Sequence, residues 1–298
     1  MTDNEKPIIG FVGLGLMGSA ICTRLMECGY RLNVIANRSR KNIDKAVAMG
    51  ASEHTSYKDL AASSNVIMLC MDTSYNVEKT CLGEDGLIEG VKSNSLIIDF
   101  GTSLPSSTLT IAEKMSEKGV NYMDAPIGRT PAHALQGKIN LMCASDEAIF
   151  NEAKPILHDI AENIFYIGTL GTGHSVKLLN NFVGMTMASA VAEAFVMADK
   201  AGLSRQTLYQ VMAAGPLHSM MMDFVKANAI DGDNSKLEFA IKNACKDLTY
   251  YQQMGQDMGH ETLMAKATIH TLESAIDKGF GDRMVSELTH FFENQFQD

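Results

Sequence analysis

The chain has 298 residues, 46% hydrophobic and 20% charged, enough apolar material for one large domain or two ordinary ones. A formal net charge of −10 offers no electrostatic footprint for nucleic acid and repels an anionic membrane surface, although a local cluster of cations can still hold an anionic substrate. The opening residues, MTDNEK, are polar and acidic, unlike a secretory or mitochondrial leader, so a cytoplasmic location is expected.

Short apolar runs that read as strands fall at 8–13, 31–37, 65–71, 95–100, 121–127, 139–144 and 164–167. Helix-like segments lie between most of them, among them 17–28, 42–49, 56–62 and 105–118. This alternation predicts an α/β fold with a doubly wound parallel sheet. The character changes after 168–173, where a long helical run from about 174 to 201 is followed by helical patterns to the end. Two domains are expected, 1–168 and 169–298, the second all helical. The long helix is apolar enough to suggest a membrane span, but Lys177, Asn180, Asn181 and Glu193 interrupt it, so burial in protein along an interdomain seam is the better reading. The six cysteines contain no CxxC pair and sit mostly in apolar runs, as buried free thiols do.

The first strand runs into Gly13, Gly15 and Gly18, a G-x-G-x-x-G that opens a helix. In that context the first glycine allows a tight turn, the second lets a pyrophosphate approach the backbone, and the third packs helix on strand. Gly13, Gly15, Leu16, Met17 and Gly18 are therefore cofactor candidates in a Rossmann-type domain. The second strand ends Asn37-Arg38-Ser39-Arg40, with no acidic residue to take the ribose hydroxyls. Asn37, Arg38 and Ser39 suit the 2′-phosphate of NADP(H), which is expected in preference to NAD(H).

The strand-like run 121–127 stops at Gly128, and Arg129, Thr130 and a proline follow. A guanidinium beside a glycine just past a strand end suits an anion, so Gly128, Arg129 and Thr130 are substrate candidates. On the long helix, Lys177 lies three residues before Asn180 and four before Asn181, with Gly184 leaving room one turn further on. An ammonium there supplies a proton and a positive charge to a carbonyl becoming an alkoxide. Lys177 is the expected acid, Asn181 its amide partner and Asn180 a substrate contact.

Together GLGLMG at 13–18, IIDFGT at 97–102, DAPIGRT at 124–130, GTGHSVKLLNN at 171–181 and Lys246-Asp247-Leu248 resemble the β-hydroxyacid dehydrogenases over nearly the whole chain. The resemblance implies a Rossmann domain, an all-helical second domain, a homodimer or homotetramer, and a short anionic aldehyde or β-hydroxy acid as substrate. It assigns Lys177 as the catalytic lysine and Asn181 as its partner, sets Thr102 and Lys246 against the cofactor, and puts Met71 beneath it after the fourth strand. Most members carry D-x-P-V-S-G-G where this chain has Gly128-Arg129-Thr130, and a serine is common where Gly101 stands. The Gly-Arg-Thr variant is similar to that of sulfolactaldehyde reductases, although those have an NAD-type second-strand end.

Other features are set aside. His260-Glu261 lacks the second histidine of a zinc protease helix, and no Cys/His spacing suits a metal, so none is expected. His174 is expected at a solvated first helical turn.

Overall fold

The computed structural model describes residues 6–36 and 40–296. Contacts divide the chain between Lys177 and Leu178. The first unit carries β1 (Ile9–Val12), α1 (Leu16–Glu27), β2 (Leu32–Ile35), α2 (Lys41–Ala48), β3 (Ser52–His54), α3 (Tyr57–Ala62), β4 (Val66–Leu69) and α4 (Ser74–Leu82). It continues with β5 (Leu96–Asp99), α5 (Pro105–Ser116), β6 (Asn121–Asp124), β7 (Ile127–Gly128), α6 (Pro131–Leu135), β8 (Ile139–Ala144), α7 (Glu147–Ile160) and β9 (Ala161–Gly168). One sheet has the order β3-β2-β1-β4-β5-β6-β8-β7, with β9 also paired to β8. Strands β1 to β6 run parallel, while β8 is antiparallel to both β6 and β7.

The central strands β1, β4 and β5 are largely apolar because both faces are covered. Alternate residues go to opposite sides: Ile9 and Phe11 pack with Ile21, Leu25, Phe150 and Leu157 of α1 and α7, whereas Val12, Ile67 and Ile97 pack with Leu60, Val77 and Ile111. The short β3 escapes sequence reading because Ser52-Glu53-His54 is a polar edge with no buried residue. Strand order reverses between β1 and β4, and in such sheets ligands bind beyond the carboxyl ends of the strands at that point.

The helix α8 (Thr172–Lys200) starts in the first unit and continues into the second, which adds α9 (Arg205–Ala213), α10 (Met220–Ala229), α11 (Ile241–Asp257), α12 (Leu263–Asp277) and α13 (Leu288–Gln295). By length and apolarity α8 could cross a membrane. Its Met185, Ala188, Ala192 and Phe195 are instead buried with Val225, Leu248, Leu272 and Phe291 in the core of the second unit. Phe182 stacks on Tyr251 of α11 with ring centroids 4.4 Å apart.

Candidate active site

The glycine loop performs its three parts separately. Gly13 has φ +97°, and a Cβ there would meet the Cys70 carbonyl oxygen at 2.3 Å. A Cβ on Gly18 would fall 1.9 Å from the Gly13 carbonyl oxygen, so α1 can lie this close to the loop only without a side chain. Gly15 has nothing within 4 Å of where its Cβ would be. It is also the N-cap of α1, with no side-chain cap and no acidic residue in the first turn. Open space over a glycine at an uncapped helix N-terminus fits the pyrophosphate of a dinucleotide. Leu16 is exposed and Met17 packs against the core, while Asn42 of α2 donates to the Leu14 carbonyl at 2.7 Å, a loop support that no sequence motif signals.

Asn37, Arg38 and Ser39 lie outside the described residues. Arg40, next in line, is paired with Asp44 and Glu53. Met71 and Thr102 follow the ends of β4 and β5. At Gly101, just before Thr102, a Cβ would meet the Met71 carbonyl oxygen at 3.2 Å and the Asp99 carboxylate at 2.9 Å. A side chain there would have to displace the Asp99 carboxylate.

Lys177 Nζ donates to the Ile127 carbonyl oxygen at 2.8 Å, joining the expected acid to the strand that leads into Gly128-Arg129-Thr130. Its helix is anchored from below. Asp124, fully buried at the end of β6, accepts the N–H of Gly171 at 2.8 Å and of His174 at 2.7 Å. A Cβ on Gly173 would strike the Met142 carbonyl oxygen at 2.4 Å. Burial pushes the Asp124 carboxyl above its ordinary value, against the lowering pull of His174 and the two N–H donors. His174 is not at a solvated turn as its sequence position suggested: it is fully buried, with Nδ1 2.8 Å from Thr108 Oγ1 and Nε2 3.7 Å from Asp99 Oδ2. Thr108 matches Nδ1, whereas Nε2 is buried without a hydrogen-bond partner among the described residues.

In the turn after β7, Arg129 has φ +77° and its Nη1 donates to the Lys138 carbonyl at 2.8 Å and to Glu162. The guanidinium is thus partly committed within the protein, through Nη1. Thr130 Oγ1 lies 2.8 Å from His133 Nδ1, so its hydroxyl is shared as well. A Cβ on Gly128 would lie 3.3 Å from that of Asn140 across the β7–β8 pair.

In the second unit, Asn181 is buried and donates to Asp247 Oδ2 at 2.6 Å. Lys246 Nζ stands 2.9 Å from Oδ1 of the same carboxylate, an ion-pair contact. Asn180 has a different setting: it is exposed, and its contact with Asn181 is long, 3.4 Å. The room expected at Gly184 is taken by Met221, whose Cε lies 3.3 Å from where a Cβ would be. Among the described residues no group of three or more His, Cys, Asp or Glu side chains could hold a metal.

A glycine loop at the head of a parallel sheet, and a lysine pinned at the strand end beside a polar turn, define a nicotinamide-dependent oxidoreductase. Two family models cover the chain: the NAD-binding domain of 6-phosphogluconate dehydrogenase matches residues 8–168, and the NAD-binding domain of NADP-dependent 3-hydroxyisobutyrate dehydrogenase matches 171–292. A 2-(hydroxymethyl)glutarate dehydrogenase from Eubacterium barkeri is 30% identical over 97% of this chain and 96% of its own length. The nuclear factor N-PAC of Xenopus tropicalis is 25% identical over 92% of this chain, which spans only 51% of that protein. A 3-hydroxyisobutyrate dehydrogenase structure from Mycobacterium tuberculosis, with L-serine, has TM-score 0.85 at 23% identity, covering 96% of this chain and 99% of that one. The chain belongs to the β-hydroxyacid dehydrogenase family. It is a nicotinamide-dependent oxidoreductase.

Proposed function

We propose that the protein is an NADP(H)-linked reductase of a short anionic semialdehyde, with sulfolactaldehyde the leading candidate among such substrates. The observation that carries the reading is the 2.8 Å bond from Lys177 Nζ to the Ile127 carbonyl, because it fixes an ammonium beside the turn read as the anion seat. The nicotinamide, when bound, supplies or takes the hydride. The chain's own residues supply the proton and the placement. Lys177, as an ammonium, delivers a proton to the oxygen of the reacting carbonyl, where its charge also stabilises the developing alkoxide. Asn181, the amide partner expected from the sequence, is oriented by Asp247. The acid group of the substrate is received by Gly128, Arg129 and Thr130, whose mixed donors suit a three-oxygen anion.

The NADP preference rests on sequence: Arg38 follows the second strand and no acidic residue stands between Ala36 and Arg40. The test follows oxidation of NADPH and NADH with sulfolactaldehyde, succinic semialdehyde, glyoxylate, tartronate semialdehyde and methylmalonate semialdehyde. The proposal expects the highest kcat/KM with NADPH and an anionic semialdehyde. A clear preference for the sulfonate supports the three-oxygen reading, and a preference for a carboxylate removes it. Oxidation of 3-hydroxyisobutyrate with NAD as the favoured pair would replace the reductase reading. Arg38→Ala should weaken NADPH far more than NADH, and equal losses would remove the 2′-phosphate role.

A further inference from the structure

Arg129 leaves β7 in a left-handed backbone conformation that few residues other than glycine adopt. Its Nη1 has two hydrogens, and both are used, one on the Lys138 carbonyl oxygen and one on the Glu162 carboxylate. Three more N–H groups remain on Nε and Nη2. Among the described residues these make no hydrogen bond, and together they form the edge that matches two oxygens of a carboxylate or sulfonate.

Glu162 reaches Arg129 because of an irregularity in the sheet. In the β8–β9 pairing Ile139 faces Ala161 and Asn140 faces Asn163, so Glu162 is an extra residue without a partner on β8. Such a bulge redirects the side chain it carries. Asn163 restores the register directly afterwards, its Nδ2 donating to Asn140 Oδ1 at 2.9 Å.

We propose that Glu162 is a positioning residue for substrate recognition: with the Lys138 carbonyl it grips Arg129 by Nη1 and presents the Nε–Nη2 edge to the substrate's acid group. This rests on the reading that the turn 128–130 receives that group. Arg129 holds the Glu162 carboxyl below its ordinary value, with Lys138 and His133 adding to the effect, so the grip is ionic at neutral pH.

The experiment compares Arg129→Ala, Glu162→Ala, Glu162→Gln and the Arg129→Ala/Glu162→Ala double variant, using sulfolactaldehyde, succinic semialdehyde and uncharged propanal. Glu162→Ala should raise KM for the anionic substrates about fivefold or more, leaving kcat and the propanal kinetics within about twofold. Glu162→Gln, which keeps an oxygen acceptor, should recover most of the loss. The double variant should be no worse than Arg129→Ala alone. If Arg129→Ala raises KM but Glu162→Ala does not, Glu162 does not position the arginine and the proposal falls. A lower KM in Glu162→Ala would make Glu162 a competitor of the substrate and overturn it equally. An unchanged KM in Arg129→Ala removes the anion-seat reading itself, and the role of Glu162 with it.

Discussion

Asn181 Nδ2 donates to Asp247 Oδ2 at 2.6 Å, and both side chains are withdrawn from water. An amide has two chemically different ends, and this bond decides which end stays available on α8. Asp247→Ala should cost about 1–3 kcal/mol of stability, the penalty for leaving a buried polar group unmatched. It should also lower kcat. Asp247→Asn keeps an acceptor oxygen and should recover much of the stability. Urea denaturation and steady-state kinetics read both effects, and an unchanged kcat in Asp247→Ala would separate Asn181 orientation from catalysis.

Lys177→Ala removes the proposed proton donor while leaving the glycine loop intact. Turnover should fall by about 10²- to 10⁴-fold, the usual worth of a positioned acid. NADPH binding, followed by fluorescence titration, should change little, because the glycine loop that carries the pyrophosphate is untouched. Near-normal turnover would end the mechanism.

Two glycines of one loop should respond differently. Gly18→Ala places a methyl group against the Gly13 carbonyl oxygen, so backbone must shift, at a cost of about 1–3 kcal/mol in stability. Gly15→Ala meets nothing in the protein. Its stability should stay within about 0.5 kcal/mol of wild type, while cofactor affinity drops because the methyl occupies space over the helix N-terminus. Equal melting temperatures for the two variants, or wild-type affinity in Gly15→Ala, would contradict this division.

Asp124 gives a pH signature. Its carboxyl is raised in the folded protein above the ordinary 3.8, burial being the first cause. Between those two values the native state holds more of the proton than the unfolded chain does. The contribution of this group to stability is therefore greatest below the unfolded value and is lost as pH rises through the folded one. The stability of wild type relative to Asp124→Asn should fall as pH climbs from the ordinary value toward neutrality. Parallel pH profiles in urea denaturation would show that Asp124 is not desolvated as the structure implies.

What the sequence made legible follows from the range of each interaction. The loop at 13–18 could be read because its demands, a positive φ and an approach that excludes Cβ, are written into the identity of single residues. The alternating strands and helices were visible for a similar reason, since burial on both faces forces apolar runs. Asp124 and Asp247 stood inside recognised motifs, yet their partners lie 47 to 66 residues away and leave no local pattern. His174 was misread because polarity in a first helical turn ordinarily means solvent, and nothing nearby in the chain announces Thr108 or Asp99. Glu162 was invisible because it depends on an extra residue in a strand, which periodicity reads as noise.

The buried thiols have a practical consequence. Cys22 and Cys143 are pushed up to about 12, and Cys81 and Cys245 are raised as well, all primarily by burial. Thiol reagents react with the thiolate, so these four groups are silent while their surroundings stay closed. Three belong to the sheet-bearing unit and one to the helical unit. The chain thus carries native clocks for the opening of each half, and the order in which they start reacting tells which half lets go first.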